Sequence, residues 1–366
     1  MSAARTYVLT AGGTGGHLFP AQALAEQLTA RGHRIVLMTD RRGQAYADRF
    51  PNSEIVTVSS GSPSGGIASK LRGAAQLTRG GFQALKHLRT IQPATVIGFG
   101  GYASFPALWA AARQKRPVVL HEQNAYLGRV NRVFGKVASA VALSFDRTRA
   151  LDKAQGSRIE VTGNPVRQAV LAIRQNAYAE PDHTGPIRLL VFGGSQGASI
   201  FASTVPAAIA NLPEKLKNRI HVTQQVRAEE LEPVRAAYAE AGVDVELASF
   251  FDNMSGLLSD AHLILARAGA STVAELGVAG RPSVLVPYPY AADDHQTANA
   301  EAMASAGAAW VIANDKFDAA TCQRTLEALL EDPATLSRMA GSAFALGRPE
   351  AAARLADLVE EIGAAA

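Results

Sequence analysis

Residues 267–296, RAGASTVAELGVAGRPSVLVPYPYAADDHQ, decide how the chain folds and where it binds. Just upstream, Ala261-His262-Leu263-Ile264-Leu265-Ala266 has the length and apolar character of a buried strand. The chain then breaks at Arg267-Ala268-Gly269-Ala270-Ser271, where small residues permit a turn and Ser271 or Thr272 is expected to cap the following helix. A helix starting there leaves its first N–H groups unpaired and partly positive, and so offers a diphosphate a site. Glu275 falls one turn later, where a carboxylate can accept hydrogen bonds from two ribose hydroxyls. Gly280 ends the helix, Arg281-Pro282 stops it, and 283–287 reads as the next strand. Asp293-Asp294-His295-Gln296 follows at the carboxyl edge, where open α/β sheets hold ligands. In order, these are the parts of a nucleotide-sugar pocket. The competing reading leaves Glu275 solvated on its helix and the glycines as mere turn formers.

Recurrence weakens that competing reading. Residues 7–10 run as a strand into Ala11-Gly12-Gly13-Thr14-Gly15-Gly16-His17, with a helix following through Ala30. Residues 95–99 lead into Gly100-Gly101-Tyr102, and 187–192 into Gly193-Gly194-Ser195-Gln196-Gly197-Ala198. Strands alternating with helices of ten or more residues imply parallel sheets with crossover helices, an α/β class. At 366 residues the chain is long for one core, and about 150 residues per domain suggests two. The expected division is two Rossmann-like layers, 1–164 and 165–344, with the linker near Gly163-Asn164-Pro165. A last helix within about 345–366 is expected to cross back onto the first layer.

Composition narrows the class. Hydrophobic content of 48% with 19% charged residues supports buried cores and argues against disorder. Cys322 is the single cysteine, so no disulfide within the chain and no thiolate zinc site is expected. The opening residues lack a signal-peptide pattern, and no apolar run reaches the roughly 18 residues of a spanning helix. A net charge of +4 favours anionic partners without choosing between phosphates, lipid headgroups and nucleic acid.

The first glycine loop carries Leu18 where a dinucleotide fingerprint needs its third glycine, and no Gly-Lys-Ser/Thr follows any loop. What remains is close backbone approach to phosphates or sugars. His17 stands where that loop enters its helix. An imidazole titrating near pH 6.5 can take a proton from an attacking hydroxyl, though a helix-start histidine can also simply pack or cap. His121-Glu122-Gln123-Asn124 reads as following the strand 117–120, and Glu122 and Asn124 suit hydroxyl or amide recognition. It lacks the spacing of a helical zinc site. Asp293-Asp294 could hold a divalent ion, but helix N-termini and Arg167 supply positive charge, so metal-free phosphate binding ranks higher.

These runs together carry a resemblance. GGTGGHLFPA at 12–21, HEQN at 121–124, GNPVR at 163–167, GGSQGA at 193–198, RAGASTVAELGVAGRP at 267–282 and AADDHQ at 291–296 closely resemble the lipid II-forming N-acetylglucosaminyltransferases of glycosyltransferase family 28. The likeness runs from about residue 7 to the end of the chain. It implies the GT-B fold, two Rossmann-like domains with parallel sheets facing across a cleft. It also implies inverting transfer of N-acetylglucosamine from UDP-GlcNAc to the muramoyl O4 of lipid I, without a cofactor or metal.

Carried over position by position, the resemblance makes Thr14, Gly15, Gly16 and Asn124 donor-sugar or cleft contacts, and Arg167 and Ser195 diphosphate contacts. It puts uracil on the backbone of Phe251, the phosphate-to-ribose stretch on Ala270, Ser271, Thr272, Val273, Ala274 and Glu275, and the sugar on Gln296. His17 becomes the expected base. His295 departs from the family pattern, standing where some relatives have the first of two glutamines. A place on the cytoplasmic face of the bacterial plasma membrane is implied, with lipid I and wall-assembly proteins as partners and no nucleic acid.

Residues 67–89 fit such a place. Ile67, Leu71, Ala74, Ala75, Thr78, Phe82 and Leu85 recur at helical spacing among Lys70, Arg72, Arg79, Lys86 and Arg89. The safer alternative makes the stripe core and the charges a solvated face, and Gly80-Gly81 is expected to interrupt a continuous helix. Two rival activities keep the fold: a UDP-GlcNAc 2-epimerase or a transferase with a soluble acceptor, and a non-enzymatic nucleotide-sugar sensor.

Overall fold

The computed structural model describes residues 4–12, 15–62, 66–194 and 198–365. The chain divides into two compact units, Met1–Arg167 with Arg348–Ala366, and Gln168–Gly347. The first is built on strands β1 (Thr6–Thr10), β2 (Arg34–Thr39), β3 (Ser53–Thr57), β4 (Thr95–Gly98), β5 (Val118–Glu122), β6 (Ala140–Leu143) and β7 (Arg158–Val161). They lie in the order β3-β2-β1-β4-β5-β6-β7, and every pairing is parallel. The second carries β8 (Ile187–Phe192), β9 (Ile220–Gln225), β10 (Val245–Ala248), β11 (Leu263–Ala266), β12 (Ser283–Leu285) and β13 (Ala309–Val311). Their order is β10-β9-β8-β11-β12-β13, again all parallel.

Helices cover both faces of the first sheet, which explains why its strands are apolar without alternation. Val8, Val36, Val96 and Leu120 join one core with Ala84, Leu88 and Leu108, while Tyr7, Leu9, Ile35, Leu37, Ile97 and Val119 join the other with Leu18, Leu24 and Leu28. The helix Ala351–Ala364 completes that second core through Leu355, Ala356, Leu358 and Val359. Leu355, Leu358 and Val359 each contribute about 1.5–3 kcal/mol on burial. The half-exposed pair Arg31–Asp357 beside them, 2.7 Å apart, adds at most about 1 kcal/mol, so apolar packing holds this helix in place.

In each unit the strand order reverses once, between β1 and β4 and between β8 and β11. Chains leaving the carboxyl ends of those neighbours depart to opposite sides and open a crevice. All four strands end in the glycine-rich or small-residue turns picked out from the sequence.

One local expectation fails, and so does one competing reading. Gly80 and Gly81 do not interrupt a helix: Ile67–Ile91 is one continuous helix of 25 residues with both glycines buried. A Cβ at Gly80 would collide with the Ser59 carbonyl oxygen, and one at Gly81 would lie 2.9 Å from Trp109 Cε3. The glycines exist for close approach, and the helix absorbs their propensity cost through packing. Apart from Leu85, which packs half-buried against the core, the stripe is also not core. Ile67 is 80% exposed, Leu71 68% and Phe82 63%, on a face shared with Lys70, Arg72, Arg79, Lys86 and Arg89. Buried contact is made instead by Gly73, Gly80, Gly81, Ala84 and Leu88. Among the described residues, no helix is long and apolar enough to cross a membrane.

Candidate functional site

At the reversal point of the first sheet, β1 leads through Ala11 and Gly12 to the helix Gly15–Ala30, whose first turn carries His17. The ring is enclosed by glycines. A Cβ on Gly12 would lie 3.4 Å from His17 Cδ2, one on Gly100 3.3 Å from Cε1, and one on Gly101 3.4 Å from Cδ2. Gly100 and Gly101 also have φ of +85° and +74°, so a side chain there is disfavoured by backbone and space alike. Gly16 is exposed with open space above it, whereas a Cβ on Gly15 would press 2.9 Å from the Phe19 ring. Thr14 lies outside the described residues.

The end of β5, which pairs with β4 on the side away from β1, supplies a polar chain beneath His17. His17 Nδ1 lies 3.0 Å from Gln123 Oε1, Gln123 Nε2 lies 2.9 Å from His121 Nδ1, and His121 Nε2 lies 3.0 Å from the Gly163 carbonyl oxygen. His121 and Gln123 are both fully enclosed, and burial pushes the His121 pKa down to about 4. His121 and Glu122 are the last residues of β5, not loop residues beyond it as the sequence suggested.

Glu122 is engaged within the protein. One oxygen accepts from the Asn124 amide N–H at 3.0 Å and the other from Gly128 N–H at 2.7 Å and Asn131 Nδ2 at 2.8 Å. Its expected role in hydroxyl recognition gives way to shaping the loop that presents Asn124, whose Nδ2 also donates to Glu122 at 3.3 Å. Arg167, closing the first unit, stacks its guanidinium 5.2 Å from the Phe19 centroid, and Arg49 lies 5.5 Å from the same ring. Two cations are thus fixed beside the first turn of the His17 helix.

At the second sheet's reversal point, β8 runs into Gly193 and Gly194, the latter at φ +84°. Ser195 lies outside the described residues. From β11 the chain turns at Gly269, which caps the helix Ala270–Ala279 with extended backbone and no side-chain bond. Ser271 and Thr272 therefore do not cap it as expected. They lie inside its first turn, and Ser271 Oγ is buried without a partner among the described residues. Gly269 already takes the extended cap geometry, so Ser271 falls two residues inside the helix instead of at its cap.

That turn is rigidly held. Asn299 Nδ2 donates to Ala268 O at 3.1 Å, and Arg267 Nη1 donates to the carbonyls of Val286 and Pro287, both at 3.0 Å, and to Asn314 Oδ1 at 2.8 Å. Arg267 thereby ties the end of β11 to the segment beyond β12. At the helix end Gly280 adopts φ +63°, and the fully buried Arg281 donates to the carbonyls of Leu258, Ser259 and Ala279. Glu275 lies on this helix, 8% exposed. Gln296, in the first turn of the helix His295–Ser305, accepts from Tyr288 N–H at 2.9 Å through Oε1, which turns its NH2 group toward donor duty. His295 Nδ1 donates to Ala292 O at 2.7 Å, a local role distinct from that of a glutamine. Phe251 sits beyond β10 at the same carboxyl edge.

The structure thus gathers Gly15, Gly16, His17, Asn124 and Arg167 on the first unit, and Phe251, Ala270 to Glu275 and Gln296 on the second. Sequence reading missed Gln123, His121, Arg267 and Asn299 as organisers of these turns. The only signal for His121, Gln123 and Arg267 was polarity at otherwise apolar strand ends, and Asn299 lies within the helix His295–Ser305 with no such mark. Among the described residues, no cluster of three or more His, Cys, Asp or Glu side chains could hold a metal ion.

Comparison with known proteins extends the picture. A protein 51% identical over 98% of this chain and 94% of its own length is the UDP-N-acetylglucosamine--N-acetylmuramyl-(pentapeptide) pyrophosphoryl-undecaprenol N-acetylglucosamine transferase of Rhodospirillum centenum. The protein of that name from Paramagnetospirillum magneticum is 50% identical over 96% of this chain and 95% of its own. The crystal structure of MurG from Acinetobacter baumannii superposes with a TM-score of 0.79 at 30% identity, covering 97% of this chain and 99% of that one. The fold is that of the GT-B glycosyltransferases. Residues 7–143 match the glycosyltransferase family 28 N-terminal domain and 188–356 its C-terminal domain, and the chain belongs to glycosyltransferase family 28.

Proposed function

We propose that the protein transfers N-acetylglucosamine from UDP-GlcNAc, with inversion, to the muramoyl O4 of undecaprenyl-diphospho-muramoylpentapeptide, converting lipid I to lipid II. One observation carries this reading. Each sheet ends its reversal point in a small-residue turn, one enclosing an imidazole at a helix start and the other exposing helix amides one turn before a shielded carboxylate. The first is suited to deprotonating a hydroxyl, the second to holding a nucleoside diphosphate. The names of the near-full-length relatives supply the substrates.

In this reading the C-terminal unit binds UDP-GlcNAc. The amides of Ala270, Ser271 and Thr272, which precede the first intrahelical bond from Val273 N–H to the Gly269 carbonyl, face the diphosphate, Glu275 accepts the ribose hydroxyls, the Phe251 backbone pairs with uracil, and the Gln296 NH2 donates to the sugar. The N-terminal unit presents the acceptor, with Thr14, Gly15, Gly16 and Asn124 lining the sugar. His17 takes the O4 proton as O4 attacks the anomeric carbon in line. The bond to the diphosphate oxygen breaks, and its charge is met by helix amides, Ser195 and Arg167, without need of a divalent ion.

The exposed basic and apolar face of Ile67–Ile91 supports peripheral attachment to an anionic leaflet at the cytoplasmic side. Each well-placed cation is worth about 1 kcal/mol there, and Ile67, Leu71 and Phe82 add apolar burial. Sedimentation with vesicles containing anionic lipid tests it: Leu71→Asp with Phe82→Asp should abolish binding while leaving turnover of a water-soluble acceptor intact. Unchanged sedimentation refutes the attachment face.

Purified protein, labelled UDP-GlcNAc and a short-chain lipid I analogue, with chelator present, test the activity. The expected product is the disaccharide-bearing lipid. Conversion of UDP-GlcNAc alone to its 2-epimer, or binding without turnover on every muramoyl acceptor, would replace the proposal with one of the two rivals.

A further inference from the structure

A neutral imidazole can act as a base only at the nitrogen that lacks the proton, so the tautomer of His17 matters as much as its position. The contacts beneath it determine that tautomer step by step, starting from a backbone carbonyl. Gly163 O can only accept, so His121 Nε2, 3.0 Å away, bears a hydrogen and donates it. Buried and uncharged at neutral pH, His121 then has its lone pair at Nδ1. The atom 2.9 Å from that lone pair must be a donor, which fixes the Gln123 amide with its NH2 toward His121. The same nitrogen also donates to the His121 carbonyl at 3.1 Å, so both amide hydrogens are used and the group is held against flipping. Gln123 Oε1 therefore faces His17 Nδ1 at 3.0 Å, and because an amide oxygen only accepts, the proton resides on Nδ1.

We propose that Gln123 is a positioning residue that locks His17 in the Nδ1–H tautomer, leaving the lone pair on Nε2 for the acceptor hydroxyl, with Gly163 and His121 setting the direction of the chain. Its importance for turnover rests on the reading of His17 as the base, while the lock itself stands on the contacts alone. The anchor is well fixed: Gly163 has φ +90°, and a Cβ there would lie 2.8 Å from Arg348 Cβ. An amide suits this place better than a carboxylate. It orients the ring without a charge that would hold His17 as the imidazolium, the form unable to accept a proton.

The test reads the tautomer directly. In protein labelled with 15N-histidine, two-bond nitrogen–proton correlation at neutral pH should show His17, assigned by loss of its signals in His17→Ala, with a protonated Nδ1 and an unprotonated Nε2. Gln123→Met keeps the length but removes both polar atoms. It should give mixed or Nε2-protonated signals and lower kcat about tenfold, with donor KM within twofold. Gln123→Glu restores an acceptor, so the Nδ1–H signal should return while the acid limb of the kcat profile moves to higher pH. An Nε2–H tautomer in the wild-type protein, or an unaltered tautomer in Gln123→Met, overturns the proposal; the wild-type spectrum does so without any variant having to fold. Should His17→Ala retain kcat while the Nδ1–H lock is observed, the base assignment fails and the lock survives.

Discussion

Replacing Gly80 by alanine sets two physical effects of opposite sign against each other within one helix. Alanine is favoured over glycine in a helix interior by about 1 kcal/mol, so propensity alone predicts stabilisation. The added Cβ, however, would overlap the Ser59 carbonyl oxygen, lie 2.9 Å from that carbonyl's carbon and sit 3.1 Å from Pro106 Cγ. Ordinary carbon–oxygen contacts begin near 3.3 Å, so the helix and the segment after β3 must separate by on the order of 1 Å. Overpacking of this kind costs about 1–3 kcal/mol. Separation also stretches the bond from Ser59 N–H to Gln83 Oε1, now 2.8 Å, worth roughly a further 0.5–1.5 kcal/mol. The net expectation is a loss of about 2 kcal/mol, or a fall of roughly 4–8 °C in the melting midpoint of a unit of this size.

Gly341, exposed in the helix Pro333–Leu346 with open space around it, is the control. The same substitution there should stabilise by up to about 1 kcal/mol. The two tryptophans allow each unit to be followed separately: Trp109 packs against Gly81, and Trp310 lies in β13. Fluorescence melts of Gly80→Ala in a Trp310→Phe background report the first unit. A midpoint that rises as it does for Gly341→Ala refutes the close approach.

Three other outcomes are expected. Glu275→Ala should raise donor KM at least tenfold with a smaller effect on kcat, since ribose hydroxyls lose an acceptor in ground and transition states alike; steady-state kinetics with varied UDP-GlcNAc checks it, and an unchanged KM removes Glu275 from the ribose site. For His121 the unfolded chain takes up a proton near pH 6.5 and the folded chain only near 4, so stability is intact above pH 6.5 and is lost as pH falls toward 4, by about 3 kcal/mol in all. Denaturant titrations from pH 7 to 4 should show that loss reduced in His121→Gln, and parallel curves would contradict it. Burial pushes the Cys322 thiol up to about 12, so iodoacetamide at pH 8 should alkylate it only in unfolded protein; mass spectrometry showing rapid native labelling would contradict its burial.

How much of this was legible in the sequence depends on the range of the interaction concerned. Strand runs, glycine turns and the order of elements are local, and β8 at Ile187–Phe192 and the end of the Ala270–Ala279 helix at Gly280 lie where the residues indicated. Misreadings arose where tertiary contact overrides local preference. Gly80 and Gly81 read as helix breakers because propensity carries no knowledge of Ser59 or Trp109 across the gap they allow. Ser271 reads as a cap because its type favours one, yet Gly269 reaches that geometry first. Glu122 reads as a ligand group because a sequence cannot reveal that Asn124, Gly128 and Asn131 already occupy its oxygens. Gln123 meets His17 across 106 residues, and nothing in HEQN singles it out from its neighbours.

The two glycine-rich turns look alike in sequence but use the missing side chain differently. Around His17 the glycines at 12, 100 and 101 remove atoms so that an imidazole can be enclosed and read by a chain of side-chain contacts running inward to a carbonyl. At Gly269 the missing side chain instead leaves backbone amides open, while polar contacts from Arg267 and Asn299 hold the turn from behind. An enclosed ring needs one tautomer and therefore a directional support, whereas open amides need only rigidity, because an N–H can point its hydrogen only one way. This difference explains why the support beneath His17 is a relay in which each donor fixes the next, ending at Gly163. It also explains why the support behind the second turn is a set of separate donors, the Asn299 amide and the Arg267 guanidinium, each ending on its own acceptors with no direction to transmit.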